Sequence, residues 1–152
     1  MNVPRETILE ALLGVIATAT IDSQPAFVTI SRKFQMWDAV PGIQQPACYL
    51  RQTPGRVDQN EDFGLNRWTL RCGIWIYAKY SPTSDTIPAV LLNNLIDAVE
   101  RAILPSPAFP MQTLGGLVVN CWLDGDVIID EGNLPNDDQA IAVLPVSIRT
   151  GV

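Results

Sequence analysis

The side chains that could do chemistry are few, and their types narrow what is open to them. The chain contains no histidine. That removes the commonest general base, the Ser-His and Cys-His nucleophile pairs, and histidine-ligated zinc. Cys48, Cys72 and Cys121 stand far apart, and none forms a CxxC pair. Each lies in an apolar, strand-like run and is expected to be a buried, reduced thiol rather than a ligand or nucleophile. That use of cysteine suits folding in a reducing cytoplasm. Carboxylates remain. Asp124, Asp126, Asp130 and Glu131 open a segment, Asp124 to Asp138, that holds six acids and no base. Such a cluster suggests a divalent cation or an acid/base pair. An EF-hand loop needs further oxygen ligands at set spacing and a bidentate glutamate, and this order does not supply them. The segment is therefore read as a solvated turn and edge, with a docking edge or a surface that repels passing DNA as the sharper alternatives. No catalytic residue, metal or cofactor is expected, and the chain is not expected to be an enzyme.

The 152 residues suffice for one domain, taken as 1–152, with a sizeable core. Hydrophobic residues make up 47% and charged residues 17%, which excludes dominant disorder. So few charges leave much neutral surface, which hints at burial against other subunits. Ten bases and sixteen acids give a net charge of −6, and no cluster of lysines and arginines is expected. Gripping nucleic acid through phosphates is therefore not expected. No stretch approaches the roughly 18 to 20 apolar residues that span a bilayer. Glu6 and Glu10 interrupt the apolar N-terminal stretch, unlike a signal peptide, so neither secretion by that route nor membrane integration is expected.

The elements that must position these residues follow from periodicity. Met1 to Ala19 reads as a helix, with Asn2 as a possible cap, Pro4 in the first turn, and Ile8, Leu12 and Ile16 on one stripe. Ala26 to Ser31 and Ala47 to Gln52 read as short strands, and the polar Thr53 to Asn66 as an exposed loop. Asn66 to Tyr80 is the clearest strand: Trp68, Leu70, Cys72, Ile74, Ile76, Ala78 and Tyr80 share one parity. The other parity carries Trp75 and Tyr77 between Arg71 and Lys79. Aromatics flanked by arginine on an outer face suit a subunit interface; cover by one of the chain's own loops would explain them equally. Pro88 opens a second helix that runs to about Leu104 and is ended by Pro105, Pro107 and Pro110. Leu117–Leu123 and Val127–Asp130 read as a hairpin about Asp124-Gly125-Asp126. Gln139 to Thr150 is the last strand, with Pro145 at an edge or a bulge. Strands in consecutive runs favour an α+β fold: a mainly antiparallel sheet with two helices packed on one face.

Three regions carry a family resemblance. They are Pro4–Leu12 with Arg32-Lys33-Phe34 and Pro46–Leu50, the long strand Trp68–Tyr80 with Leu92–Val99, and Leu114–Val118 with Asp124–Val127 and Pro145–Arg149. In this order of elements the chain resembles the tail terminator proteins of long-tailed bacteriophages, the minor tail proteins that cap the tail tube. The resemblance implies a homo-hexameric ring on the head-proximal end of the tube. Such a ring stops tube polymerisation and offers a surface for head joining, without chemistry. It implies the tail-tube protein and a neck or connector protein as partners, and DNA passing through the channel without specific binding. It places the protein in the virion tail, assembled in the host cytoplasm. Trp68, Arg71, Trp75, Tyr77, Asp124, Asp126, Asp130 and Glu131 are the candidate interface residues. Arg71 is expected to pair with an acid across a subunit boundary, with Asp126 or Glu131 as its partner. The rival readings are another head-tail connector protein and a cytoplasmic adapter that binds protein through Trp75 and Tyr77.

Overall fold

The computed structural model describes residues 3–59, 66–81, 85, 87–132 and 138–151. Helix α1 runs Arg5–Ile16. Pro4 precedes it in extended conformation, and its carbonyl accepts the first helical hydrogen bond, from the Ile8 amide at 3.2 Å. The helix stops three residues short of the expected Ala19, because the chain turns at once into a two-rung hairpin, β1 (Thr20–Ile21) and β2 (Gln24–Pro25). Its turn residues, Asp22 and Ser23, have φ of 50° and 64°, the left-handed pair that lets a two-residue loop match strand twist. Helix α2 runs Pro88–Ile103, with proline at the first helical position, where its missing N–H costs nothing.

The main sheet holds β3 (Thr29–Ser31), β4 (Ala47–Gln59), β5 (Asn66–Lys79), β6 (Asn120–Leu123), β7 (Ile128–Asp130) and β8 (Gln139–Arg149). The order is β3-β4-β5-β8-β6, with β7 also on β8, and every pairing but β3–β4 is antiparallel. Leu70, Cys72, Ile74, Ile76 and Ala78 of β5 face the helices together with alternate residues of β8, Ala140 through Ile148. Ile8, Leu9, Leu12 and Ile16 of α1 and Leu92, Leu95, Val99 and Ile103 of α2 close over them. The chain is thus an α+β domain with both helices on one face of a mainly antiparallel sheet. The three cysteines are buried and unbridged on this helix-covered side.

Three local expectations fail. The Thr53–Asn66 loop is in large part strand: β4 stays paired with β5 from Arg56↔Thr69 out to Gln59↔Asn66, and the last two rungs, Asp58↔Arg67 and Gln59↔Asn66, extend past β8 as a two-stranded arm. Residues 60–65 lie outside the described part. Pro54 and Gly55 together oppose Leu70 as a β-bulge, which absorbs a proline with no ladder donor. A Cβ on Gly55 would lie 2.6 Å from the Thr69 carbonyl oxygen, so glycine is required there. Nor do β6 and β7 form a hairpin. They lie end to end along β8, Leu123 opposite Val146 and Ile128 opposite Val143, with Asp124–Val127 bulging out between them. Gly125, at φ 124°, takes the chain through that bulge. Finally, Pro145 sits in β8, a central strand. Its carbonyl accepts from the Asp124 amide at 2.9 Å, which puts its ring nitrogen on the same side, at the gap between β6 and β7, where no ladder donor is needed.

Candidate interaction face

The face of the sheet away from the helices divides into two halves. One half is covered by the chain's own segment 34–45. Tyr77 is fully buried there with Tyr49, Val40 and Ile141. Its hydroxyl donates to the Gln35 carbonyl at 2.7 Å, and burial pushes its pKa up. Phe34 stands edge-on to Trp75, with ring centroids 5.0 Å apart. Gln45 Nε2 donates to the Val40 carbonyl at 3.1 Å and to Gln139 Oε1 at 2.9 Å, while Gln139 Nε2 donates to the Trp37 carbonyl at 2.9 Å. These amides pin the segment to the start of β8. Of the two readings of the Trp75–Tyr77 face, cover by the chain's own loop accounts for Tyr77, which has no surface to offer a partner.

Among the described residues, the other half is open except where Asp124 meets Ser147 and Gly125 lies against Pro145. Residues directly opposite in an antiparallel ladder project on one side. The register therefore sets Arg56, Thr69 and Arg149 in one row and Thr53, Arg71 and Ser147 in the next. Arg51, Gly73 and Pro145 form a third row, and Arg67 with Asp58 lies toward the arm. Arg51, Arg56, Arg67, Arg71 and Arg149 are all exposed. They gather over three strands, an area of about 20 Å by 10 Å at ordinary strand spacings. The floor between them is apolar. A Cβ on Gly73 would lie 3.1 Å from Trp75 Nε1 and 3.3 Å from Val143 Cγ1, so the indole lies across the glycine. Trp75, Val143 and Pro145 are half-buried. Arg51 also reaches over the Phe34 ring, 4.8 Å from its centroid, and Arg56 pairs with Asp58 at 2.7 Å.

The free edge of the sheet has the opposite character. Val127, Ile128 and Ile129 are 43%, 63% and 48% exposed. Acids flank them. Asp124 accepts from the Ser147 hydroxyl at 2.7 Å, and Asp130 accepts from the Gly132 amide at 2.9 Å. Asp126 and Glu131 are exposed. Among the described residues, no three acidic or cysteine side chains lie together as a metal site would need. Burial raises the pKa of each cysteine thiol to about 12, far from the thiolate that nucleophilic chemistry requires.

The structure thus separates the eight candidate residues. Arg71 and Trp75 share the bare face, and the four acids line the edge, while Tyr77 is internal. Trp68 is on the helix side, half-buried, with the Arg5 guanidinium 4.0 Å from its ring centroid. Sequence reasoning missed Arg51, Arg56, Arg67 and Arg149. The alternation of Arg67 and Arg71 was visible, but the rest depends on strand register, and Arg56 joins the face only because the bulge at Pro54-Gly55 reverses the parity of β4. No protein-family model matches the chain, and no curated protein matches it. Among the described residues, no helix is long and apolar enough to cross a membrane.

Proposed function

We propose that this chain is a structural, self-assembling protein of the tail-terminator kind. Six copies form a ring on the head-proximal end of a phage tail tube, end tube polymerisation and present the surface to which the head is joined. Its partners are further copies of itself, the tail-tube protein and a neck protein. DNA passes through the ring without specific binding, and the ring does no chemistry. The observation that carries the reading is the edge at Val127–Ile129: three successive exposed apolar residues at the start of β7, with no strand among the described residues paired outside it. Such an edge is a template for another chain, and a protein that must stay soluble covers or charges it unless assembly is its purpose. A ring needs only that a heterologous contact of this kind closes on itself.

Negative-stain microscopy of tail tubes with and without the protein, beside a native mass, tests this. Added density at one end of each tube, or a particle of six chain masses, is the expected result. A chain that leaves tubes unaltered and binds portal or adaptor protein instead would make it a neck component. One that binds neither would sink the assembly reading.

A further inference from the structure

We infer that the subunit contact is a docking of the acid-flanked apolar edge of one copy onto the arginine face of the next. This rests on the ring reading and specifies which surfaces meet. Both surfaces have an apolar centre and a charged rim, and the rims are of opposite sign. On the face, Trp75, Val143 and Pro145 form the floor, with Arg51, Arg71 and Arg149 around it. On the edge, Val127, Ile128 and Ile129 are exposed, Ile128 on the outer side with Val143 and Ile129 on the helix side with Ala142, and Asp126 and Glu131 are exposed beside them. Within one chain the two surfaces adjoin, with Asp124 accepting from Ser147 and Gly125 lying against Pro145, but their opposite charges are left unpaired with each other. Among the described residues, the ion pairs are Arg32–Glu6 and Arg56–Asp58, neither of which joins face to edge. The edge lies beyond β8, with Ile128 opposite Val143 of the floor, whereas Arg51, Arg71 and Trp75 belong to β4 and β5 on the other side of β8. A copy whose edge is engaged still presents an open face, so the contact is heterologous and propagates until it closes. A second copy suits the face better than nucleic acid does. Phosphates reward a dense array of bases and gain nothing from an apolar floor, and here Arg56 is already paired with Asp58 and the chain carries a net charge of −6.

The test uses two full-length charge-reversed chains, a face variant (Arg71→Glu with Arg149→Glu) and an edge variant (Asp126→Arg with Glu131→Arg). Both are checked for unchanged melting, since every altered side chain is exposed. Self-association is measured by sedimentation velocity, and end-capping of tubes by microscopy. Each variant alone is expected to associate at least about tenfold more weakly than the wild type. An equimolar mixture is expected to recover, because an intact face meets an intact edge and the reversed pair also match in sign. A misfolded variant cannot give that recovery. If the edge variant is impaired and the face variant is not, the contact is edge to edge and the inference is overturned. If the face variant loses only retention of duplex DNA, the face serves nucleic acid and the inference is again overturned. If both variants associate normally and cap tubes, the contact is wrong while the ring reading stands. A wild type that neither associates nor caps overturns both.

Discussion

The two faces of this sheet are made by alternate residues of the same strands, yet they are closed in different ways. On the helix side, β5 and β8 present unbroken apolar rows, and two amphipathic helices cover them from end to end. On the other side, the cover is an irregular segment held by side-chain amides and one tyrosine hydroxyl, and it reaches only half-way. The first face is complete within the chain. The second ends in arginines around an apolar floor, and its neighbouring edge is apolar as well. Stability should therefore reside mainly in the helix side and association in the outer side, and substitutions can pull the two apart.

The largest effect is expected on the helix side. Leu95 is fully buried between α2 and the sheet. Leu95→Ala should lower unfolding stability by about 3 kcal/mol, as loss of buried methylenes plus the residual cavity usually does. Urea denaturation measures it. A loss under about 1 kcal/mol would mean that the site collapses freely and that this face is less tightly closed than its packing implies.

Trp75→Ala should separate the faces most clearly. The ring lies across Gly73 at the border of the bare half and is half-buried already. Removal of an aromatic anchor weakens an interface by about 2 kcal/mol or more. Assembly on tubes should suffer more than the melting of the free chain. A variant that still assembles fully but has lost its thermal transition would assign Trp75 to the core instead.

How much of this was legible from residues alone differs between the faces for a physical reason. The helix side is written in periods of 3.6 and 2, so Ile8, Leu12 and Ile16, and Leu70 through Ala78, could be placed on their proper sides before any register was known. The outer side depends on pairing. Arg149 is distant in sequence from Arg51 and Arg56, and they meet only through the ladders of β4 and β8 with β5. The Asp-Gly pair at 124–125 is a good hairpin signal, but both flanking strands found a better partner in β8, so the turn became a bulge in an interrupted edge. The burial of Tyr77 depended on a segment whose 3₁₀ turns, at Trp37–Ala39 and Gly42–Gln44, have no apolar period to announce where they pack.

A smaller effect tests how the covering segment is held. Tyr77→Phe keeps the ring among Tyr49, Val40 and Ile141 and removes only the donor to the Gln35 carbonyl. A net loss of about 1 kcal/mol is expected, the usual worth of one such hydrogen bond. Amide hydrogen exchange should rise in residues 34–45 and stay unchanged in α2. A uniform rise through both would mean that the two faces open together as one unit.

The smallest effect concerns the tie between α1 and the sheet. Arg32 grips Glu6 with both ends of its fork, at 2.8 and 3.1 Å, and also donates to the Leu50 carbonyl at 3.0 Å. The Arg32 hydrogen bond holds the Glu6 carboxyl below its ordinary value of 4.5, although its side chain is 60% exposed. Solvent screening limits such a pair to less than about 1 kcal/mol. A carboxylate with a depressed folded pKa adds stability above its unfolded value and loses it as pH falls through the folded one. Glu6→Gln should therefore cost a few tenths of a kcal/mol near pH 7, on the order of an exposed ion pair, and the gap to the wild type should close below pH 4.5. Arg32 contributes no slope there, because its hydrogen bond to the same carboxylate raises its already high pKa further. Urea midpoints at neutral and acid pH measure the gap. If it persisted unchanged in acid, the glutamate would be acting through packing rather than charge, and the tie between helix and sheet would belong with the apolar contacts of the closed face.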